Sequence, residues 1–430
     1  MGCRRYRRRT VISDSPRASP LFGRVLVSIG IGLVVGLSAG IGSAAFLHSL
    51  TWATGRRSEH PWLLWLLPIA GLGIGVLRRA VGRSTGGTDL LLGEFHDPLS
   101  GDERAARVPM QLAPYVFIGS VITHLFGGSG GREGAAVQIA AGLSAPIRPP
   151  IERLARHVGV GHHEVRRFLM VAALAGGFGS VFGVPLAGTL FGMEVARRPT
   201  LRGFRSHLRE RADDLRTYLL VAASASFVGH LVTTHLGIHH KTMPHLDHPL
   251  VLGVVVVAVA SGLLARGYLL AHHGVRTTVL PVPEVLRPVV GGLVVVAMTA
   301  IVGTRAYLGL SLPLLDAALG GLAVTGAAFV LKLAFTAVTL GSGFPGGEVT
   351  PLLCMGACLG AVLAKPLGDP APVLAAVGMV ATWSAASNTP VSAAVMGAEL
   401  FGPIGLLVFL PANLAAGLVS GARSVYAGQR

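Results

Sequence analysis

Apolar runs recur along the whole chain, at residues 21–50, 61–77, 110–125, 168–195, 218–232, 250–270, 288–302, 312–340, 373–400 and 405–419. Short polar or basic stretches separate them. The pattern predicts an all-α protein with many membrane segments, because a chain in hydrocarbon must satisfy its own backbone and helices do so locally. A simple span needs about 20 apolar residues, and many of these runs are shorter or interrupted. Pro185, past the middle of 168–195 and behind Gly176, Gly177, Gly179 and Gly183, predicts a broken helix, since proline removes a donor and clashes with the preceding turn. Gly30, Gly32, Gly36 and Gly40 recur near every fourth residue of the first run, which predicts close helix packing. Trp62 and Trp65 read as interfacial anchors of the second. Irregular backbone at membrane depth is tolerated only where protein covers it or a cavity is lined. The pattern therefore predicts a channel or transporter rather than a receptor bundle.

Two of the interruptions are alike. Residues 126–145 read FGGSGGREGAAVQIAAGLSA: glycines 127, 128, 130, 131 and 134 surround one Arg-Glu pair, and an apolar helical stretch follows. Residues 341–361, GSGFPGGEVTPLLCMGACLGA, repeat the arrangement with Glu348 as the acid. A glycine loop lets backbone amides approach a ligand, and a helix N-terminus adds orphan donors and a favourable dipole. Two glycine-broken segments at corresponding places in two halves point to a midplane binding site in an inverted repeat. Glu133 is a carboxylate placed where an anion should bind. It can occupy the site itself and leave when protonated or displaced.

Composition narrows the class. Of 430 residues, 51% are hydrophobic and 13% charged, with mean hydropathy +0.63; a soluble chain carries about 25% charged residues. The net charge of +16 sits as short arginine clusters between apolar runs, as in cytoplasmic loops, so no nucleic-acid partner is expected. Cys3, Cys354 and Cys358 form neither a disulfide nor a metal framework. Residues 1–20 read as a basic cytoplasmic tail without a signal-peptide core, 21–200 as a first membrane half, 201–216 as a polar linker, 217–420 as a second half and 421–430 as a tail. The Met-Gly start matches an acylation signal only weakly and is taken as accidental. His235 and His239 have a helical zinc spacing within the group His235, His239, His240, His245 and His248, but no cysteine and no acid other than Asp247 is near. Neither metal nor cofactor is expected. His124 and Ser129 are close in sequence but lack a third partner, so an enzyme is not expected.

At GGREGAAVQIAAGLSA the chain resembles the CLC family of chloride channels and anion/proton antiporters, over nearly its whole length. Gly131-Arg132-Glu133-Gly134 is similar to the family motif whose glutamate is external gate and proton carrier. The stretch 346–351, GGEVTP, is similar to the second anion-coordinating motif, and Pro185-Leu186-Ala187-Gly188 with Glu194 to the segment closing the first half. Three departures stand out. The loop that places a serine against the central anion reads GGTDL at 86–90. Val195 stands where chloride/proton exchangers often carry an internal glutamate. GGEVTP has an acid and a threonine at usually apolar positions. With SNTP at 387–390 and Ser424-Val425-Tyr426, these resemble the fluoride-exporting branch. The resemblance implies fluoride/proton antiport through a CLC-like inverted repeat of broken helices meeting at a midplane anion site. It also implies a homodimer in the inner membrane of a bacterium. A chloride channel or chloride/proton exchanger is the alternative.

Fluoride is small and strongly hydrated, so the pore must offer compact donors. The amides from Gly130 through Gly131 and Arg132 to Glu133, and of Val349 and Thr350, are candidates. The Thr350 hydroxyl adds a donor or serves as a helix cap. Tyr426 donates its hydroxyl to the site or anchors at the interface. Thr88 and Asp89 fall where a central ligand is expected. Glu348 lines the route or caps its own helix; Arg132 draws anions in or pairs structurally. Asn388 has an ordinary structural role or hydrogen-bonds a helix break, and Glu194 and Glu399 are interfacial or pairing residues.

Overall fold

The computed structural model describes residues 21–82, 87–96, 108–195, 212–239, 253–426 and 429. The first half consists of α1 (Leu21–Glu59), α2 (Leu67–Val81), α3 (Thr88–His96), α4 (Leu112–Leu125), α5 (Glu133–Ser144), α6 (Arg148–His157), α7 (His162–Phe182) and α8 (Pro185–Glu194). The second consists of α9 (Ala212–His235), α10 (Gly253–Thr278), α11 (Arg287–Val302), α12 (Leu312–Leu319), α13 (Ala328–Gly341), α14 (Val349–Leu367), α15 (Ala371–Ser387), α16 (Pro390–Phe401) and α17 (Gly405–Ser420). Among the described residues there is no strand, only an isolated antiparallel bridge between Gly131 and Gly347. Among the described residues, seven helices are long and apolar enough to cross a membrane, and five shorter apolar helices accompany them. Leucines and valines exposed along α1, α9, α10 and α11 fit a lipid-facing perimeter around the buried α5, α7, α14 and α15.

The breaks come where sequence chemistry puts them. The run 168–195 divides at Gly183, φ +73°, which ends α7; Pro185 then opens α8. The run 373–400 divides at Asn388, φ +54°, with Pro390 opening α16. The run 312–340 becomes two helices rather than one, with Gly320 and Gly321 between them. The first helix extends past the apolar run to Glu59, and Arg56 and Arg57 in its last turn complement the helix dipole. Of the glycines Gly30, Gly32, Gly36 and Gly40, three mark the predicted contact. A Cβ on Gly36 would come 2.6 Å from the Ala225 carbonyl oxygen of α9, and Gly32 and Gly40 are as crowded, whereas Gly30 faces open space.

An inverted repeat is visible as a fixed residue offset. Helix α4 spans 112–125 and α13 spans 328–341, so both ends lie 216 residues apart; α5 and α14 begin at 133 and 349, again 216 apart. Between them, Gly127 (φ +94°) and Gly343 (φ +101°) hold the same left-handed turn at that offset. Each turn closes by a five-residue bond, Gly128 N–H to the Thr123 carbonyl at 2.7 Å and Phe344 N–H to the Thr339 carbonyl at 3.3 Å. The helix N-termini that follow converge on one another. Residues 1–20 lie outside the described part. So does the linker as far as 211; 212–216 open α9.

Candidate functional site

The glycine loops cross. Gly131 N–H donates to the Gly347 carbonyl at 2.6 Å and Gly347 N–H donates to the Gly131 carbonyl at 2.9 Å. Only glycine allows this approach: a Cβ on Gly347 would come 2.7 Å from the Gly134 nitrogen, and one on Gly131 would come 2.8 Å from the Gly347 oxygen. The crossing brings the N-termini of α5 and α14 face to face, so two sets of orphan amides and two positive dipole ends share one space.

The Glu133 carboxylate fills that space. It is 1% exposed. Its Oε2 accepts from Thr350 N–H at 3.0 Å and from Arg132 N–H at 3.2 Å. The Thr350 hydroxyl donates to the same carboxylate, 2.5 Å from each oxygen. Arg132, itself 27% exposed, pairs with Oε1 through Nε at 3.3 Å. The side chain thus takes one main-chain donor from each helix mouth, together with a hydroxyl and a guanidinium. An anion replacing it would meet the same donors.

The other candidates gather nearby or lie apart as follows. The Gly130 carbonyl faces His124 Nε2 at 3.2 Å, while His124 Nδ1 faces the Ser120 carbonyl at 2.8 Å. Val349 is the first residue of α14 and Glu348 stands at its N-cap position without a side-chain capping bond; the Glu348 carboxylate lies 3.5 Å from where a Gly134 Cβ would stand. Thr88 and Asp89 form the first turn of α3, Thr88 buried and Asp89 half-buried. Tyr426 is buried, edge-on to Phe191 at 6.2 Å. The Tyr426 segment is fastened by Val425 N–H to the Ala386 carbonyl at 2.8 Å, and Asn388 reaches the Ala422 and Arg423 carbonyls at 3.3 and 3.4 Å. Of the histidine cluster only His235 and His239 are described, the first closing α9.

Three groups around the glycine loop, Lys332, Arg57 and Thr339, were not among the candidates read from the sequence. Lys332 is fully buried in α13, its Nζ donating to Ser129 Oγ at 2.9 Å, the Gly309 carbonyl at 2.7 Å and the Tyr307 carbonyl at 3.2 Å. Arg57 donates to the His124 carbonyl at 2.6 Å. Ser129 N–H donates to Thr339 Oγ1 at 3.0 Å. The available signal for Lys332 was a single lysine inside an apolar run, where a charge is costly and has a reason.

Glu194 and Glu399 turn out to be reciprocal. Glu399 accepts from Leu186 and Ala187 N–H at 2.9 and 2.7 Å, the first amides of α8. Glu194 accepts from Val391 and Ser392 N–H at 3.0 and 2.7 Å, the first amides of α16. Each carboxylate stands nine residues after the proline that opens its own helix, so the two antiparallel helices cap each other.

Known proteins share this architecture. A "Chloride/fluoride channel protein" of Pseudomonas syringae pv. tomato is 37% identical over 92% of this chain and 85% of its own length. An "H(+)/Cl(-) exchange transporter ClcA" of Salmonella arizonae is 26% identical over 85% of this chain and 79% of its own. The crystal structure of a CLC-type fluoride/proton antiporter superposes with TM-score 0.80 at 28% identity, covering 95% of this chain and 98% of that one. The profile of the family described as "Voltage gated chloride channel" matches residues 74–421, a stretch holding both glycine loops and the two reciprocally capped helices, so the chain is a multi-pass membrane protein belonging to the CLC family of anion transporters and channels.

Proposed function

We propose that this protein exports fluoride in exchange for protons, with Glu133 as the group that both closes the anion path and carries the proton. The observation behind this reading is the carboxylate seated in two helix mouths at once. A negative charge there is held by amides from both halves. Protonation removes the charge and most of that hold, so the side chain swings out and an anion takes its place. Release of the proton on the far side lets Glu133 return and displace the anion. One group competing with its own cargo thereby couples two opposite fluxes.

Fluoride rather than chloride is favoured by the donor set. Thr350 places a hydroxyl beside the main-chain donors, and a small, strongly hydrated ion gains most from compact donors. Relatives include both a chloride/fluoride channel protein and chloride/proton exchangers, so the anion is decided by measurement. Val195 stands where such exchangers often carry an internal glutamate, which argues for a different inner proton route. In this reading the protein sits in a bacterial inner membrane as a homodimer, each subunit with its own path. Liposomes loaded with fluoride or chloride, with ion-selective electrodes and a pH probe outside, test the whole proposal. Wild-type protein is expected to take up protons as fluoride leaves, and Glu133→Gln to abolish the proton flux. Proton pumping that persists in Glu133→Gln refutes the assignment of Glu133; chloride efflux without fluoride efflux refutes the choice of cargo.

A further inference from the structure

Arg132 lines a cavity of about 630 Å³, walled by the last turns of α1 and by residues 305–317. Arg57 and Arg305 also line it, together with Thr51, Ser58 and Ser311, and its described lining includes no aspartate or glutamate. Arg57 is fixed in place: its Nη1 holds the His124 carbonyl, and a Cβ on Gly309 would come 2.6 Å from that same nitrogen. Among the described residues neither Arg57 nor Arg305 has a carboxylate within 4.0 Å. The buried Lys332 ammonium, bonded to Tyr307 and Gly309 of the same wall, has only neutral oxygen partners. Three guanidinium-bearing residues thus line one cavity, Arg132 paired with Glu133 and the Lys332 ammonium bonded behind the wall, and low-dielectric walls focus such a field.

This is more charge and more room than one halide requires. Guanidinium groups present paired N–H donors in a fixed fork, which matches the oxygens of a tetrahedral oxyanion better than a spherical ion. We propose that the cavity is a binding site for a small divalent oxyanion, sulfate or hydrogen phosphate. Seated beside Arg132, the oxyanion covers Glu133 and blocks halide passage from that face. The blocking role rests on the proposed transport path; the binding site does not.

Binding is measured first, by calorimetry on purified protein in a phosphate-free detergent. Sodium sulfate is titrated against sodium gluconate at matched ionic strength. Sulfate is expected to bind and gluconate not. Arg305→Gln, at an exposed position, is expected to weaken sulfate at least about tenfold through the loss of a charged fork, with Arg305→Lys in between. Sulfate that binds no better than gluconate, or equally well to Arg305→Gln, overturns the site. Liposomes then test the block with whichever halide the protein moves. External sulfate should slow efflux only through molecules whose cavity faces outward, and sulfate on both sides should slow all of them. Sulfate that binds without slowing efflux overturns the block. A protein that moves chloride alone defeats the fluoride reading and leaves the sulfate result standing.

Discussion

A carboxylate among amides is held only by donors that stay pointed at it, and in this site one donor is a side chain that can be removed cleanly. Thr350 contributes both its N–H and its hydroxyl to Glu133. Thr350→Val keeps the shape and the N–H and deletes the hydroxyl. A hydrogen bond to a charged group contributes about 1.5–3 kcal/mol, and a strongly hydrated ion loses more with that donor than a weakly hydrated one. Under the proposed function, a fluoride-over-chloride preference is therefore expected to drop at least about tenfold in Thr350→Val, read with paired electrodes on the same liposomes. An unchanged preference would place the discrimination elsewhere. Glu133 and Thr350 were legible in the sequence because glycine loops and helix starts are local signals. Lys332 was not. Its partners are carbonyls and a hydroxyl of other segments, Ser129 lying 203 residues away, and no local pattern announces an acceptor that distant.

Among helices, the reciprocal caps of α8 and α16 are the clearest design. Each helix opens with a proline, which leaves the next amides as orphan donors, and each donates its tenth residue to the other's start. The sequences PLAGTLFGME and PVSAAVMGAE show the signal, with proline, glycine and glutamate in the same three places. Read alone, each glutamate looked like an ordinary end-of-run acid; read as a pair, the two predict an antiparallel contact. Removing either acid leaves two amides facing less well satisfied surroundings. Glu194→Ala or Glu399→Ala is expected to cost about 1–3 kcal/mol, seen as a lower melting temperature in detergent. The double variant should cost less than the sum, because both carboxylates tie the same two helices. Strict additivity would mean that the caps act independently.

Across the whole molecule, the two halves behave as one motif written twice and interlocked at a single crossing. Helix α4 with its loop and α5 matches α13 with its loop and α14 at a constant offset, yet the copies have different chemistry at the crossing: Glu133 in one stands at the register of Val349 in the other. The fold class was legible because the glycine loops kept their spacing. The depth of the interlock was not, since it depends on two backbones meeting through the bonds of Gly131 and Gly347. That meeting makes the last prediction. A methyl group on Gly347 has no flexible side chain to push aside, only the Gly134 nitrogen 2.7 Å away. Gly347→Ala must part the helix mouths. Overpacking of this kind costs about 1–3 kcal/mol, while a displacement near 1 Å at a reacting site can reduce rates about a hundredfold. Transport of either halide is thus expected to fall far more than the melting temperature suggests. Gly30→Ala, which adds the same methyl group in open space within α1, should change neither. If Gly347→Ala moved fluoride at the wild-type rate, the two mouths would not need to meet for ions to pass, and a site shared between the halves would have to be given up.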